Sequence, residues 1–173
     1  MKRTRLNRNA WIEAGLKALV ADGPTALAAE PLARRLNTTK GSFYWHFRDV
    51  PDFQAAVVKD WQTRAFATVV TALAEDGSTE MRLRRFGRLM LADKQDPALR
   101  AWARTDKSVA RALAQVDAER LTYLANLLKQ LGIKNPEFAQ STLSAMIGLP
   151  QLVGKSKPAA AFDTLVDLVI ALQ

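Results

Sequence analysis

The stretch from Ala29 to Phe47 constrains this chain more than any other. Pro31 has no amide hydrogen to give, so a helix can hold it only in its first turn, and Leu32 and Leu36 follow at helical spacing. Asn37 comes next, a residue that enters the left-handed conformation more readily than most. Thr39 then has the side chain to cap a second short helix, with Phe43 and Phe47 four apart on one face as its inward anchors. On the other side Lys40, Ser42, Tyr44, Trp45 and His46 all carry hydrogen-bond donors. Two short helices meeting at Asn37, the second anchored on one side and donor-rich on the other, read as a helix-turn-helix whose second helix meets phosphates and base edges.

The run Leu32-Ala33-Arg34-Arg35-Leu36-Asn37-Thr38-Thr39-Lys40-Gly41-Ser42-Phe43-Tyr44-Trp45-His46-Phe47 resembles the DNA-binding signature of the tetracycline-repressor (TetR) family of transcriptional regulators. The similarity is dense and nearly gapless from about Ile12 to Phe53, and is far more specific than a bare helix-turn-helix pattern. It implies an all-α protein: an N-terminal helix-turn-helix domain, residues 1–50, and a helical ligand-binding and dimerisation domain, residues 51–173. Two positions depart from the family pattern. Ala28 stands where the family usually has a threonine that caps the second helix, and Val50 where it often has a phosphate-binding lysine or arginine. Either departure can weaken DNA binding without abolishing it. The candidate DNA-contacting residues are Thr38, Thr39, Lys40, Ser42, Tyr44, Trp45 and His46, with Arg5 from the basic arm.

Charge supports a polyanionic partner. The chain of 173 residues carries a formal charge of +8, and residues 1–50 hold nine Lys or Arg against four Asp or Glu, so +5 of it lies there. Arg3, Arg5 and Arg8 precede or open the first helix, where contact with phosphate and plain solvation of a terminus are equally good readings. Lys2, Arg3 and Arg5 are followed by Asn7, Arg8 and Asn9 rather than an apolar run, which reads as no secretory leader. Zero cysteines exclude a disulfide scaffold and fit a reducing cytoplasm. The longest charge-free stretch, Phe138 to Gly154, approaches membrane-spanning length, but its Gln140, Ser141, Thr142, Ser144, Pro150 and Gln151 favour a buried or interface helix.

Taken in order, the chain reads as helical throughout, with no strand signals. Ile12, Leu16, Leu19 and Val20 mark a first helix stopped by Gly23-Pro24. Asp49 caps a long fourth helix that carries Phe53, Val57, Trp61, Ala65, Val69 and Leu73 as far as Gly77. Met81, Phe86, Leu89 and Met90 mark the next, Asp96-Pro97 caps another holding Leu99 and Trp102, and a long one runs from about Asp106 to Leu131. Asn135-Pro136 and the region near Pro158 open the last two. No Gly/Ser or Pro-rich linker separates the halves.

Phe138 to Gln173 holds only Lys155, Lys157, Asp163 and Asp167 as charges, whereas a terminal helix of a small domain needs a solvated face. Two helices this apolar point to a homodimer interface, similar to the four-helix interface of the TetR family, with Leu143, Met146, Phe162, Leu165 and Val169 as candidates; core burial within one chain is the alternative. The resemblance also implies a pocket for an unidentified small-molecule effector. Trp61, Phe66, Phe86, Met90, Trp102 and Tyr123 are the bulky candidates, Trp102 and Tyr123 foremost because each ring has a polar atom that wants a partner when buried, although bulky residues at helical spacing are more often simply core. Catalysis is a poor alternative: His46 is the lone histidine, and acidic residues mostly alternate with basic ones. Nothing in the pattern calls for a cofactor or a metal; Asp93, Asp96 and Asp106 suit caps and solvated positions better. The combined reading is a cytoplasmic, homodimeric regulator that binds a palindromic double-stranded operator and represses by occupying it. A nonspecific nucleic-acid-binding or architectural protein is the alternative.

Overall fold

A computed structural model describes residues 6–152 and 156–171. Nine α-helices account for the regular structure of these residues, and no strand is present among them: α1 Arg8–Asp22, α2 Ala29–Arg35, α3 Lys40–Tyr44, α4 Val50–Ala74, α5 Thr79–Ala92, α6 Gln95–Ala103, α7 Lys107–Gln130, α8 Pro136–Gly148 and α9 Pro158–Ala171. Single 3₁₀ turns at Pro24–Ala26 and Leu149–Gln151 complete the set. The chain divides into two compact units. The first takes Met1–Arg64 with Gln95–Leu113, and the second Ala65–Lys94 with Ala114–Gln173.

In the first unit, Asn7 starts α1 by accepting from the Ala10 amide at 2.8 Å, and Gly23, at φ 78°, closes it by donating to the Leu19 carbonyl. Gly15 has a packing reason: a Cβ there would lie 2.6 Å from the Phe53 ring, so only a bare backbone lets α1 approach α4 this closely. The core is aromatic. Trp11, Phe43, Phe47 and Phe53 are all buried, and Phe43 lies 5.4 Å from Trp11, 5.2 Å from Phe47 and 5.3 Å from Phe53 between ring centroids. Each such ring stabilises the fold by about 1.5–3 kcal/mol through burial alone.

In the second unit α5, α8 and α9 pack together over Leu83, Phe86, Leu143, Met146, Phe162 and Val166, with Leu124 and Leu127 of α7 in the same cluster. Arg84 fixes α9 along α5: it pairs with Glu80 at 2.9 Å and with Asp167, and donates to the Asp163 carbonyl at 3.1 Å. Such half-exposed pairs contribute little energy but select one register.

Several sequence expectations need correction. Val20, Leu73, Met81 and Leu89, apolar markers of their helices in the sequence, are all exposed. On α1 the buried stripe is instead Trp11, Ile12, Gly15, Leu16, Ala18 and Leu19, which leaves Val20 on its flank. On α4, Ala72 rather than Leu73 faces inward, and on α5 Leu83, Phe86, Gly87 and Met90 are the buried residues. The fourth helix ends at Ala74, short of Gly77. Asp96 does not cap α6 from outside; it is buried within the first turn and held by Arg100 at 2.6 Å. Asp106 does cap α7, accepting from the Ser108 amide at 2.8 Å and the Val109 amide at 3.2 Å.

Candidate nucleic-acid interface

Local chain chemistry builds the helix pair around Asn37. Ala28 occupies the cap position of α2 and supplies no side-chain bond, so that helix starts with its first amides uncapped by side chain, while Glu30 in its first turn and Arg34 and Arg35 in its last suit its dipole. At the other end Asn37 has φ 49°, alone among described non-glycine residues in being positive. Its amide donates to the Arg34 carbonyl at 3.1 Å and the Thr38 amide to the Ala33 carbonyl at 2.9 Å. These two bonds are the Schellman closure of a helix, with asparagine in the left-handed position that glycine usually fills.

Thr39 then begins α3 by accepting from the Ser42 amide at 3.4 Å. A five-residue helix has no stability of its own, so what holds α3 is Phe43, fully buried against Trp11, Phe47 and Phe53. Phe47, just past the helix, donates its amide to the Phe43 carbonyl at 3.1 Å and carries the Arg8 guanidinium 4.9 Å from its ring centroid. Asp49 accepts from the Asp52 amide at 2.8 Å to start α4, and that bond holds the Asp49 carboxyl below the usual carboxylate range.

The outer side of α3 is open. Trp45 is 81% exposed and Tyr44 48%, the latter with its ring edge against Phe43 at 5.3 Å. Lys40 and Thr39 are exposed, and Thr38, Ser42 and His46 are half-buried. Thr39, Gly41, Ser42, Trp45 and His46 line one shallow depression. Lys40, Tyr44 and Thr38 stand outside that depression. Arg5 lies outside the described residues. Val50 is half-buried at the start of α4 and places no cation there.

The other sequence candidates fall in different places. Trp61 and Trp102 are buried in the first unit, whereas Phe86, Met90 and Tyr123 belong to the apolar cluster of the second. The Tyr123 hydroxyl donates to the Ala72 carbonyl at 3.1 Å, and its ring meets Phe86 at 4.8 Å. Trp102 lines a cleft together with Pro51, Gln54, Lys59, Gln62 and Asp106, and Phe66 lines a separate open one in the second unit with Val69, Val70, Leu73 and Glu119. Gln54, Lys59 and Gln62 of α4 were not legible in the sequence as part of a site, because each looks like an ordinary solvated position. Leu143, Met146, Phe162 and Val169 are buried within the chain itself, so a second copy could cover almost nothing more of them; Leu165 is half-buried. Among the described residues no group of three or more His, Cys, Asp or Glu is placed to hold a metal ion, and no helix is long and apolar enough to cross a membrane.

No model of a known protein family matches the sequence, and no curated protein sequence is significantly similar to it. Solved structures match across nearly the whole chain. NemR of E. coli, in its reduced form, is 16% identical, covers 94% of this chain and 96% of its own, and superposes with a TM-score of 0.77. A TetR-family transcriptional regulator from Streptomyces coelicolor is also 16% identical, with 95% and 94% covered and a TM-score of 0.75. A transcriptional regulator from Aquifex aeolicus VF5 is 13% identical, with 94% and 98% covered and a TM-score of 0.71. At such identities the likeness is one of architecture, and the architecture agrees with the helix pair built around Asn37: this chain has the fold of the TetR-family transcriptional regulators.

Proposed function

We propose that this chain is a TetR-type transcriptional regulator that binds a palindromic DNA operator as a homodimer. The observation that most supports it is α3: capped by Thr39, pinned inward by Phe43, and presenting Lys40, Tyr44 and Trp45 outward beside a left-handed turn. Such a helix fits the major groove, with Lys40 and Tyr44 reaching phosphates and Ser42, Trp45 and His46 nearer to base edges. Residues 1–50 serve DNA, with Arg5 adding affinity from the arm, and residues 51–173 serve dimerisation and sensing.

The second copy docks on the outer faces of α8 and α9. Ser141, Ser144 and Gly148 of α8, with Ala161, Thr164, Leu168 and Ala171 of α9, are exposed and carry no charge, so they can be covered without burying an unpaired ion. Bound to its operator in the cytoplasm, such a dimer represses by blocking polymerase and needs no chemistry to do so. A small-molecule effector that prefers a different spacing of the two α3 helices releases it.

Selection of bound sequences from random duplex DNA tests the proposal. Enrichment of a palindrome is the expected result. Binding to the enriched duplex that vanishes in excess random DNA would instead support the nonspecific, architectural alternative.

A further inference from the structure

The cleft that holds Trp102 lies wholly inside the first unit, between the opening turns of α4 and the corner where α6 passes into α7. Its volume is about 300 Å³, the lower end of what small-molecule sites occupy. Val58, Trp102 and Val109 are buried and give it an apolar floor. Polar groups stand around them: the Gln54 and Gln62 amides, the Ser108 hydroxyl and the Lys59 ammonium. Gln54 also reaches the segment just before α2, since its Nε2 donates to the Leu27 carbonyl at 3.4 Å.

Charge decides which ligand fits. Lys59 is exposed and makes no ion pair among the described residues. The one carboxylate in the lining, Asp106, is already engaged by the Ser108 hydroxyl at 2.6 Å and by the amides of Ser108 and Val109, so the first turn of α7 offsets its charge. An apolar floor beside an ammonium with no ion pair, with the one carboxylate of the lining already engaged, suits a small organic anion rather than a cation or a fully neutral molecule.

We propose that this cleft is the effector site, taking a small carboxylate-bearing molecule whose apolar body lies on Val58, Trp102 and Val109 and whose carboxylate meets Lys59. The effector therefore acts beside the helix-turn-helix, not through Phe86, Met90 and Tyr123 of the second unit. The regulatory half of this assignment rests on the DNA-binding function proposed above; the binding half does not.

Fluorescence of 8-anilinonaphthalene-1-sulfonate, an apolar body with one anionic group, reads the cleft in the full chain. Saturable binding of one dye per chain is expected, displaced by benzoate more readily than by benzamide. Lys59→Ala should weaken dye binding about tenfold or more. Ala55→Trp, from an exposed position on the cleft wall, should abolish it while far-ultraviolet circular dichroism stays that of the wild type. Undiminished dye binding in both folded variants, or equal displacement by benzamide, would overturn the assignment. In a second arm, benzoate should change the affinity of the wild type for its selected duplex and leave that of Ala55→Trp unchanged; an equal response in both overturns the regulatory role. A chain that binds the dye in the cleft but no duplex at all would sink the DNA-binding function, and the regulatory role with it, while leaving the anion site standing.

Discussion

Gly87 faces Phe162 so closely that a Cβ on Gly87 would lie 2.0 Å from Cε1 of the ring. In a helix interior, alanine normally outperforms glycine by roughly 0.5–1 kcal/mol. Here the sign reverses. Gly87→Ala is expected to destabilise the protein by about 1–3 kcal/mol, because Phe162 has no room to retreat in a filled core. Adding Phe162→Leu should recover part of the loss, and urea unfolding of the two variants checks both statements. A Gly87→Ala protein at least as stable as the wild type would show that the ring can shift.

Asn37 offers the opposite test of backbone against side chain. At φ 49°, Asn37→Ala should cost about 1–2 kcal/mol, whereas Asn37→Gly should be close to neutral. Equal stabilities for the alanine and glycine variants would mean that the turn conformation is not what asparagine provides there.

Lys40→Ala and Tyr44→Phe should weaken binding to the selected duplex without lowering the melting temperature, since both residues are exposed. If Lys40 meets a phosphate, the slope of log affinity against log salt should become shallower by about one unit in Lys40→Ala. Unchanged affinity at equal salt would remove either residue from the interface.

Substitutions in α9 separate core from interface. Leu168, 60% exposed, should tolerate glutamate in the monomer, so Leu168→Glu is expected to give a folded monomer by light scattering, with operator affinity lost. Phe162→Glu should unfold the chain, since Phe162 has no exposed surface at all. A Leu168→Glu protein that remains dimeric would move the interface off this face.

Asp106 links stability to acid. Its carboxyl is held below the ordinary value of 3.8, first by the Ser108 hydroxyl and then by the Val109 amide. The folded form therefore binds the proton less readily than the unfolded form, so the contribution is complete above about pH 4 and is lost as pH falls through the lower folded value. Asp106→Ala should cost about 1 kcal/mol at neutral pH by removing the cap of α7, and the difference from wild type should shrink in acid. A difference that stayed constant down to pH 2 would assign the loss to packing instead.

Helix order and the joint at Asn37 could be read from the sequence because capping residues, proline and left-handed turns act within a few residues of themselves. Which apolar residues face inward could not. Trp11 precedes Ile12 and was not assigned to the buried stripe, yet it is fully buried because Phe43 arrives beside it from another helix. Met81 and Leu89 are exposed for the converse reason, since Gly87 sets where α9 approaches α5. Low charge in the last two helices told that Phe162 and Val169 are covered, but not that their own chain covers them. The cleft beside Trp102 was illegible because Gln54, Lys59 and Gln62 become neighbours of Ser108 only through tertiary packing.

Within α3 and the residue that follows it, the position that holds the helix in place and those that face outward are different residues. Phe43 is sealed in the aromatic core, while Lys40, Tyr44 and Trp45 have little to do with keeping the chain folded. Surface substitutions of that kind usually change stability by no more than about 0.5 kcal/mol. The outer side of α3 is thus free to change without the chain passing through unfolded intermediates, and a library randomised at Lys40 and Trp45 should yield mostly folded proteins.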